Sequence, residues 1–237
     1  MQKTLLLLRQ DIRISWRDSS TRFFLLVPPI LFLILHTVIP SLLEEYPVIM
    51  DYKAPLLLVI ALQGGLMFGF VSGFLLLDEK DQNLLSVYRV MPLSTNGFLV
   101  MRMVFPFLGT LIYTLLVLAF NPLFPFSGLA LVLTAVNLSL LTPVLALMVA
   151  ALGKNKVEGL TWFKAFDLVV LTPFLPFFLT DGWHYPFMAV PTYWSVQGGA
   201  AHITGQQDTF LIYMAVGLVV QIGVIAAAMW FFRKRMN

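Results

Sequence analysis

Six long apolar stretches, separated by shorter polar segments, dominate the pattern of hydrophobic and polar positions along the chain. A helix needs about 20 apolar residues to cross the hydrocarbon core of a bilayer. The stretches that qualify predict transmembrane helices at residues 23–43, 54–77, 98–120, 129–152, 160–179 and 210–232. Lipid offers no hydrogen-bond partner to an open backbone, so each span should be helical. We therefore expect an all-α polytopic membrane protein in which residues 21–237 form one six-helix transmembrane domain.

The segment 1–20 has a different, amphipathic pattern. Apolar and basic side chains recur there at near-helical spacing, the basic ones one position further on: Leu5, Leu8, Ile12 and Trp16, with Arg9, Arg13 and Arg17. Such a helix lies in the headgroup region with its arginines near lipid phosphates. The run Leu5–Leu8 is too short for the apolar core of a cleavable signal peptide. An interfacial amphipathic helix is expected, and a plain lead-in to the first span is the alternative.

The composition agrees with a membrane protein. The 237 residues are 59% hydrophobic and 11% charged, whereas soluble domains carry about 25% charged residues. A soluble enzyme, a disordered chain and a free nucleic-acid binder are therefore excluded. The chain has no cysteine, which excludes disulfides and thiolate metal sites, and no metal site is predicted.

The distribution of charge predicts the orientation. If the N-terminus is cytoplasmic, only Lys53 of the 15 Lys and Arg residues falls on the outer side. The positive-inside rule then places both termini in the cytoplasm. The basic pI of about 9.2 follows from this orientation and does not indicate a nucleic-acid partner.

Glycines four residues apart mark the second span. Gly65, Gly69 and Gly73 form a flat stripe that allows another helix to approach closely. The stripe indicates helix packing, either inside one subunit or at an interface between subunits.

The spans contain few groups that could carry chemistry. Asp167 is the only acidic candidate, and Lys164 lies three residues earlier on the same helix. A local ion pair is favoured over a proton relay. The chain has neither a His-Glu-x-x-His motif nor a phosphate-binding loop, because Gly153-Lys154 is followed by Asn155. We therefore expect no enzymatic activity, and the nearly uncharged centre suits an apolar or amphipathic substrate.

Two predicted inner loops carry most of the remaining information. Between spans two and three, acids precede a short amphipathic helix in which Leu84, Tyr88 and Met91 share a face and Pro92 ends the helix. That face could pack on its own membrane domain or bind a cytoplasmic partner. The second loop, residues 153–160, is short and rich in charge.

At these loops the sequence resembles the permease subunits of ABC-2 type transporters. The similarity covers nearly the whole chain and includes the N-terminal helix, six spans and the loop from Asp78 to Ser94. The segment Asn155–Leu160 with Lys164 is its most specific part, and Pro191–Trp194 also fits. The chain is similar to small bacterial half-size permeases described as fluoroquinolone exporters.

The resemblance implies a mechanism. Two permease copies, identical or sister subunits, would assemble in the bacterial cytoplasmic membrane among its lipids and export a lipophilic or amphipathic substrate. Each would bind a separate ABC ATPase, which holds ATP and Mg, through a cytoplasmic coupling helix. The implied docking residues are Asp78, Glu79, Leu84, Leu85, Tyr88, Met91, Asn155, Lys156 and Glu158. The implied cavity residues are Gln63, Phe70, Phe166, Phe174 and Phe177.

Other functions stay open at this level. One alternative is an ATP-independent carrier or lipid scramblase with Asp167 as its ionisable group. Another is a membrane assembly subunit that does not transport. The predicted outer loop before the last span is rich in aromatic residues and fits either an outer gate or an interfacial aromatic belt: Trp183, Tyr185, Phe187, Tyr193 and Trp194.

Overall fold

The structure, a computed structural model, describes residues 15–82, 95–126, 128–179 and 184–236, and this part of the chain is helical without a strand. The α-helices are α1 (Ser19–Glu45), α2 (Lys53–Asp81), α3 (Thr95–Phe120), α4 (Gly128–Ser139), α5 (Leu141–Leu152), α6 (Lys156–Leu171), α7 (Thr192–Ile203) and α8 (Gln207–Met236). Short 3₁₀ helices cover Pro47–Tyr52, Thr172–Phe177 and Tyr185–Ala189.

Six helical segments in the described residues are long and apolar enough to cross a membrane, which confirms the predicted number. They are Thr21–Glu45, Pro47–Asp81, Arg102–Phe120, Gly128–Leu152, Lys156–Phe177 and Gln207–Arg235. The fourth span consists of α4 and α5, with a break at Leu140. Pro143 has no N–H to donate to the carbonyl of Ser139, so one helical hydrogen bond is missing at this break.

The fifth span changes character near its end. Regular α-helix stops at Leu171, and the chain continues as the 3₁₀ helix Thr172–Phe177. Pro173 and Pro176 lie in this segment and cannot donate the hydrogen bonds of an α-helix. The predicted α-helical span 160–179 is therefore shorter in α-helix than expected, and its last turns are tighter.

The second and fourth spans form the centre of the bundle. Most of their residues are buried, whereas few of the residues in the first and sixth spans are. The glycine stripe makes this centre possible. A Cβ atom placed on Gly69 would lie 3.0 Å from Leu145 Cβ and 3.1 Å from the carbonyl oxygen of Thr142, and one on Gly73 would lie 3.1 Å from the carbonyl oxygen of Ala146. The stripe thus lies against α5 of the same chain.

Hydroxyl groups tie the third span to this centre. Tyr113 donates a hydrogen bond of 3.0 Å from its hydroxyl to the carbonyl of Ile60 in α2. Thr110 Oγ1 lies 2.7 Å from Thr142 Oγ1 in α5. Such bonds satisfy polar groups that would otherwise be buried without partners. They place α3 against both central helices.

Two predicted elements fall mainly outside the described residues. Only residues 15–20 of the predicted interfacial helix 1–20 are described: residues 15–17 are helical, and Asp18 separates them from α1. The proposed coupling helix, with Leu84, Leu85, Tyr88 and Met91, lies in the segment 83–94, which is outside the described residues.

Replacing Gly69 by isoleucine should destabilise the protein. The new side chain meets the backbone of Thr142 and Cβ of Leu145, neither of which can rotate away. We expect the free energy of unfolding to fall by about 1–3 kcal/mol, the usual effect of overpacking. Thermal unfolding of the purified protein in detergent measures it.

The matched control is Gly223→Ile in α8, where a Cβ atom would have nothing within 4 Å. This change should be neutral or slightly stabilising, because glycine disfavours a helix. Equal losses of stability in the two variants would show that the close contact of α2 with α5 does not limit the side chain at position 69.

Candidate functional site

Three segments of the chain meet at one lysine. Lys156 Nζ lies 2.8 Å from Asp18 Oδ2 and 2.9 Å from Asp78 Oδ2. Asp18 immediately precedes α1, Asp78 lies in the last turn of α2, and Lys156 begins α6. We call this end of the bundle, with Asp18, Asp78, Lys80, Arg102 and Lys156, the charged end. Lys156 therefore links the start of the first span, the end of the second and the start of the fifth.

The turn before α6 is fixed by its own side chains. Asn155 is the N-cap residue of α6, and its Oδ1 accepts a hydrogen bond of 2.9 Å from the backbone N–H of Glu158. Glu158 Oε2 in turn accepts one of 3.0 Å from the backbone N–H of Lys154. This reciprocal arrangement satisfies N–H groups that a helix start leaves unpaired. Two of the predicted docking residues therefore shape the loop that would meet a partner.

Two basic residues of the charged end were missed by the sequence interpretation. Lys80 Nζ donates hydrogen bonds of 3.1 Å to the carbonyls of Ala150 and Gly153, where α5 ends. Arg102 in α3 forms an ion pair with Glu79, another predicted docking residue. Carbonyls at a helix C-terminus attract cations, which gives Lys80 its role. These contacts join residues more than 20 positions apart, so no local sequence pattern signals them.

An aromatic groove opens beside the charged end. It has a volume of about 460 Å³ and is lined by Phe23, Phe24, Phe70, Phe74, Lys156, Val157, Leu160 and Lys164. Phe70 is fully buried, and its ring centroid lies 4.0 Å from that of Phe24 and 4.4 Å from that of Phe163. The helices α1, α2 and α6 each contribute part of the wall. The groove thus contains one of the five predicted cavity residues, Phe70.

The charges in the aromatic groove are both positive. Its lining includes Lys156 and Lys164, and none of the described residues adds an acidic side chain to it. Lys156 is already paired with two carboxylates. The side chain of Lys164 is exposed, and it forms no salt bridge with an acid among the described residues. Aromatic walls with an available cation fit a flat apolar molecule that carries a negative group.

The other predicted cavity residues lie elsewhere. Phe174 lines a small groove with Tyr52 and Phe178 at the opposite end of the bundle, and Phe177 lies next to Phe174. Phe166 lines a separate cavity among the fourth, fifth and sixth spans. Gln63 is half-buried in α2. A single chain therefore does not bring the five residues together, and their shared role in a cavity between two copies stays a prediction.

The expected ion pair between Lys164 and Asp167 is not formed. Lys164 lies along the aromatic groove, whereas Asp167 Oδ1 is buried and has no hydrogen-bond partner. Three residues on a helix turn the second side chain about 60° from the first, and here that rotation separates the two environments. The spacing made the contact geometrically available but did not decide the direction of either side chain.

The aromatic residues before the last span divide between two places. Tyr185 and Phe187 lie in the 3₁₀ helix Tyr185–Ala189, and Trp183 is outside the described residues. Tyr193 is buried in α7, where both it and Trp194 contact the ring of Tyr213 in α8. Tyr193 and Trp194 thus pack α7 against the last span. The outer gate and the interfacial aromatic belt both stay predictions for this segment.

Comparison with known proteins gives one consistent result. A family model described as "Fluoroquinolones export permease protein Rv2686c-like" matches residues 11–229. Two proteins named fluoroquinolones export permease protein, MT2760 and Rv2686c, come from Mycobacterium tuberculosis strains CDC 1551 / Oshkosh and ATCC 25618 / H37Rv. Each is 24% identical over 237 residues, covering 96% of this chain and 92% of the relative. No solved structure matches the chain significantly.

Replacing Lys156 by methionine should loosen the start of α1. Both Asp18 and Asp78 lose their shared cation and are left to repel each other. The groups are partly exposed, so we expect a loss of about 0.5–1 kcal/mol. Backbone amides of residues 19–24 should then exchange hydrogen for deuterium about two- to fivefold faster.

Lys154→Met is the control, because its side chain is exposed two residues away. It should leave exchange at residues 19–24 unchanged. If the two variants gave the same exchange rates there, the bridge would contribute nothing measurable to the joining of α1, α2 and α6.

Proposed function

Because the chain belongs to the Rv2686c-like family of fluoroquinolones export permease proteins, we propose that it is the membrane subunit of an ATP-driven ABC exporter in the bacterial cytoplasmic membrane. The family match covers almost the whole six-span bundle, which is the observation that carries the proposal. The chain itself supplies the transport path, and a separate polypeptide supplies energy.

The charged end is the proposed docking surface for that polypeptide. It faces the cytoplasm in the orientation that the positive-inside rule predicts. The segment 83–94, which would contain the coupling helix, connects directly to α2 after the exposed residues Asp81 and Gln82. The capped turn 154–158 lies at the same end because Lys156 contacts Asp78. An ATPase that binds ATP and Mg would therefore meet two loops held together by one salt-bridged lysine.

The substrate is proposed to be an amphipathic aromatic molecule. The two relatives bear the name of fluoroquinolones, which are flat aromatic compounds with a carboxylate. The aromatic groove offers phenylalanine rings and the exposed Lys164 next to the docking surface. A substrate bound there would lie against α2 and α6, whose ends an ATPase could move.

Two copies of the permease should form the complete transport path. Few residues of the first and sixth spans are buried within one copy, so both spans offer apolar surface for a second copy or for lipid. A homodimer and a heterodimer with a sister permease both satisfy this requirement.

One observation favours an alternative. Asp167 Oδ1 is buried in the fifth span and has no hydrogen-bond partner among the described residues, and acids within membrane spans are typical of ion-coupled carriers. An ATP-independent carrier of this kind would transport substrate without any ATPase and would lose activity on Asp167→Asn. The ABC exporter requires ATP in the same vesicles.

Charged substitutions in the proposed coupling helix should uncouple transport from ATP. We expect the double variant Leu84→Asp/Tyr88→Asp to lose co-purification with the proposed partner ATPase. ATP-dependent uptake into inverted vesicles should fall at least tenfold, since charges would replace apolar anchors of an interface.

The control is Val48→Asp/Met50→Asp, which places two charges on exposed apolar residues of the 3₁₀ helix at the opposite end. It should retain the ATPase. If the Leu84/Tyr88 variant transported normally with ATP, this assignment of the coupling helix would be wrong. Transport by the unmodified protein without any ATPase would overturn the proposal of an ABC exporter.

Removing the charge of Lys164 should change substrate preference. We expect Lys164→Met to raise the KM for a fluoroquinolone with a free carboxylate about two- to fivefold, because a partly exposed ion pair is lost. The KM for its methyl ester should stay the same. Transport of both compounds by the same vesicles gives the ratio directly.

Lys154→Met provides the matched loss of a lysine outside the groove, and it should leave the ratio of acid to ester unchanged. Equal effects of Lys164→Met on acid and ester would remove the lysine from substrate recognition.

A further inference from the structure

A second cavity lies on the other side of α6 from the aromatic groove. It has a volume of about 480 Å³ and is enclosed by α5, α6, α7 and α8, with Phe166, Val170, Val224 and Trp230 in its wall. On α6, the residues that line the two spaces point in different directions, because Leu160 and Lys164 lie about 120° round the helix from Phe166 and Val170. The two spaces are therefore separate sites.

The cavity wall is apolar apart from very few polar groups. Among the described residues, no Asp, Glu, Lys, Arg or His lines it, so an ionised ligand would find no counter-charge in this part of the chain. A volume of this size is typical of sites for drug-sized molecules. Trp230, at its edge, is 57% exposed, so the cavity reaches the lateral face of the subunit. A molecule dissolved in the bilayer could enter without crossing the core.

Gln221 supplies the one side-chain amide in the described part of this wall. Its side chain is 1% exposed, and its Nε2 donates to the carbonyl of Asn137 at 2.9 Å and to Ser195 Oγ at 2.8 Å. A carbonyl oxygen can only accept, so the contact with Asn137 fixes which end of the amide is nitrogen. The other end, Oε1, is buried and has no donor among the described residues.

An unused acceptor in a side chain that lines an apolar space is unfavourable, since it has lost water and gained no partner. The neighbouring Asn137 does not donate to Oε1, because its amide nitrogen donates to the carbonyls of Leu133 and Met214. A ligand that brings a donor would satisfy Oε1, whereas a hydrocarbon chain would leave it unpaired. The unpaired oxygen thus distinguishes between molecules of equal size and apolarity.

We propose that this cavity is a binding site for an uncharged lipophilic small molecule that carries one hydroxyl or N–H donor, which it gives to Gln221 Oε1. The site belongs to this chain alone and does not depend on an ATPase or on the aromatic groove. It would discriminate a hydroxyl compound from its methyl ether.

The experiment uses the full chain in lipid nanodiscs and two matched probes, 6-bromo-2-naphthol and 2-bromo-6-methoxynaphthalene. Both are neutral at pH 7 and apolar, and bromine quenches tryptophan fluorescence, including that of Trp230 in the wall. Nanodiscs that contain a tryptophan ester and no protein measure the quenching caused by partition of the probes into lipid. We expect saturable quenching by the naphthol and about tenfold weaker binding of the ether. Trp230→Phe should remove most of the saturable quenching.

Two variants of α8 locate the site. Val224→Phe fills the cavity and should abolish the saturable quenching, whereas Val219→Phe, at an exposed position outside the wall, should preserve it. Gln221→Leu should bring the affinities of the two probes to within about twofold of each other.

Three results would overturn the proposal. The first is quenching that never saturates, as expected if lipid or a second copy fills the cavity. The second is an equal affinity for naphthol and ether in the unmodified protein. The third is saturable binding that Val224→Phe leaves intact.

Discussion

The close approach of α2 to α5 is the constraint on which the remaining structure depends. Backbone carbonyls of Thr142 and Ala146 lie at Gly69 and Gly73, where any side chain would separate the helices. Since apolar side chains are as well solvated by lipid as by each other, helix association in a membrane relies on such dense packing and on polar contacts. The third span adds those polar contacts through Thr110 and Tyr113. The outer spans then arrange themselves around a fixed pair.

The charged end shows how the loops of the bundle are coupled to its helices. One side of Lys156 holds Asp18 before α1, and the other holds Asp78 at the end of α2. Lys80 meanwhile closes the end of α5. A force applied to any loop at this end would therefore be felt by several helices at once. The proposed ATPase would need such a connection to act on the helices.

The sequence predicted the class of fold and the spans well, because the membrane imposes length and apolarity on each helix. For residues 160–179 the position of the span was predicted but not its geometry. Pro173 and Pro176 give its end 3₁₀ geometry, and hydropathy does not distinguish a 3₁₀ helix from an α-helix. Long-range contacts were not predicted, since Lys156 meets carboxylates from distant segments. The interpretation of Lys164 and Asp167 failed because spacing along a helix does not specify what surrounds each side chain. The second cavity was missed because Gln221 becomes informative only once its partners are known.

The position of α6 between two hollow spaces has a consequence for how substitutions combine. Asn155 caps its start. Near its end, Thr192 Oγ1 donates to the carbonyl of Val170, and Gln197 Nε2 donates to the carbonyl of Pro173 in the following 3₁₀ helix. A bulky residue on one face can be relieved only by displacing the whole helix toward the opposite space. Changes at the two faces of α6 should therefore be non-additive in stability, although the side chains never touch. Because α6 lines both the aromatic groove and the second cavity, a shift of this helix enlarges one space and reduces the other.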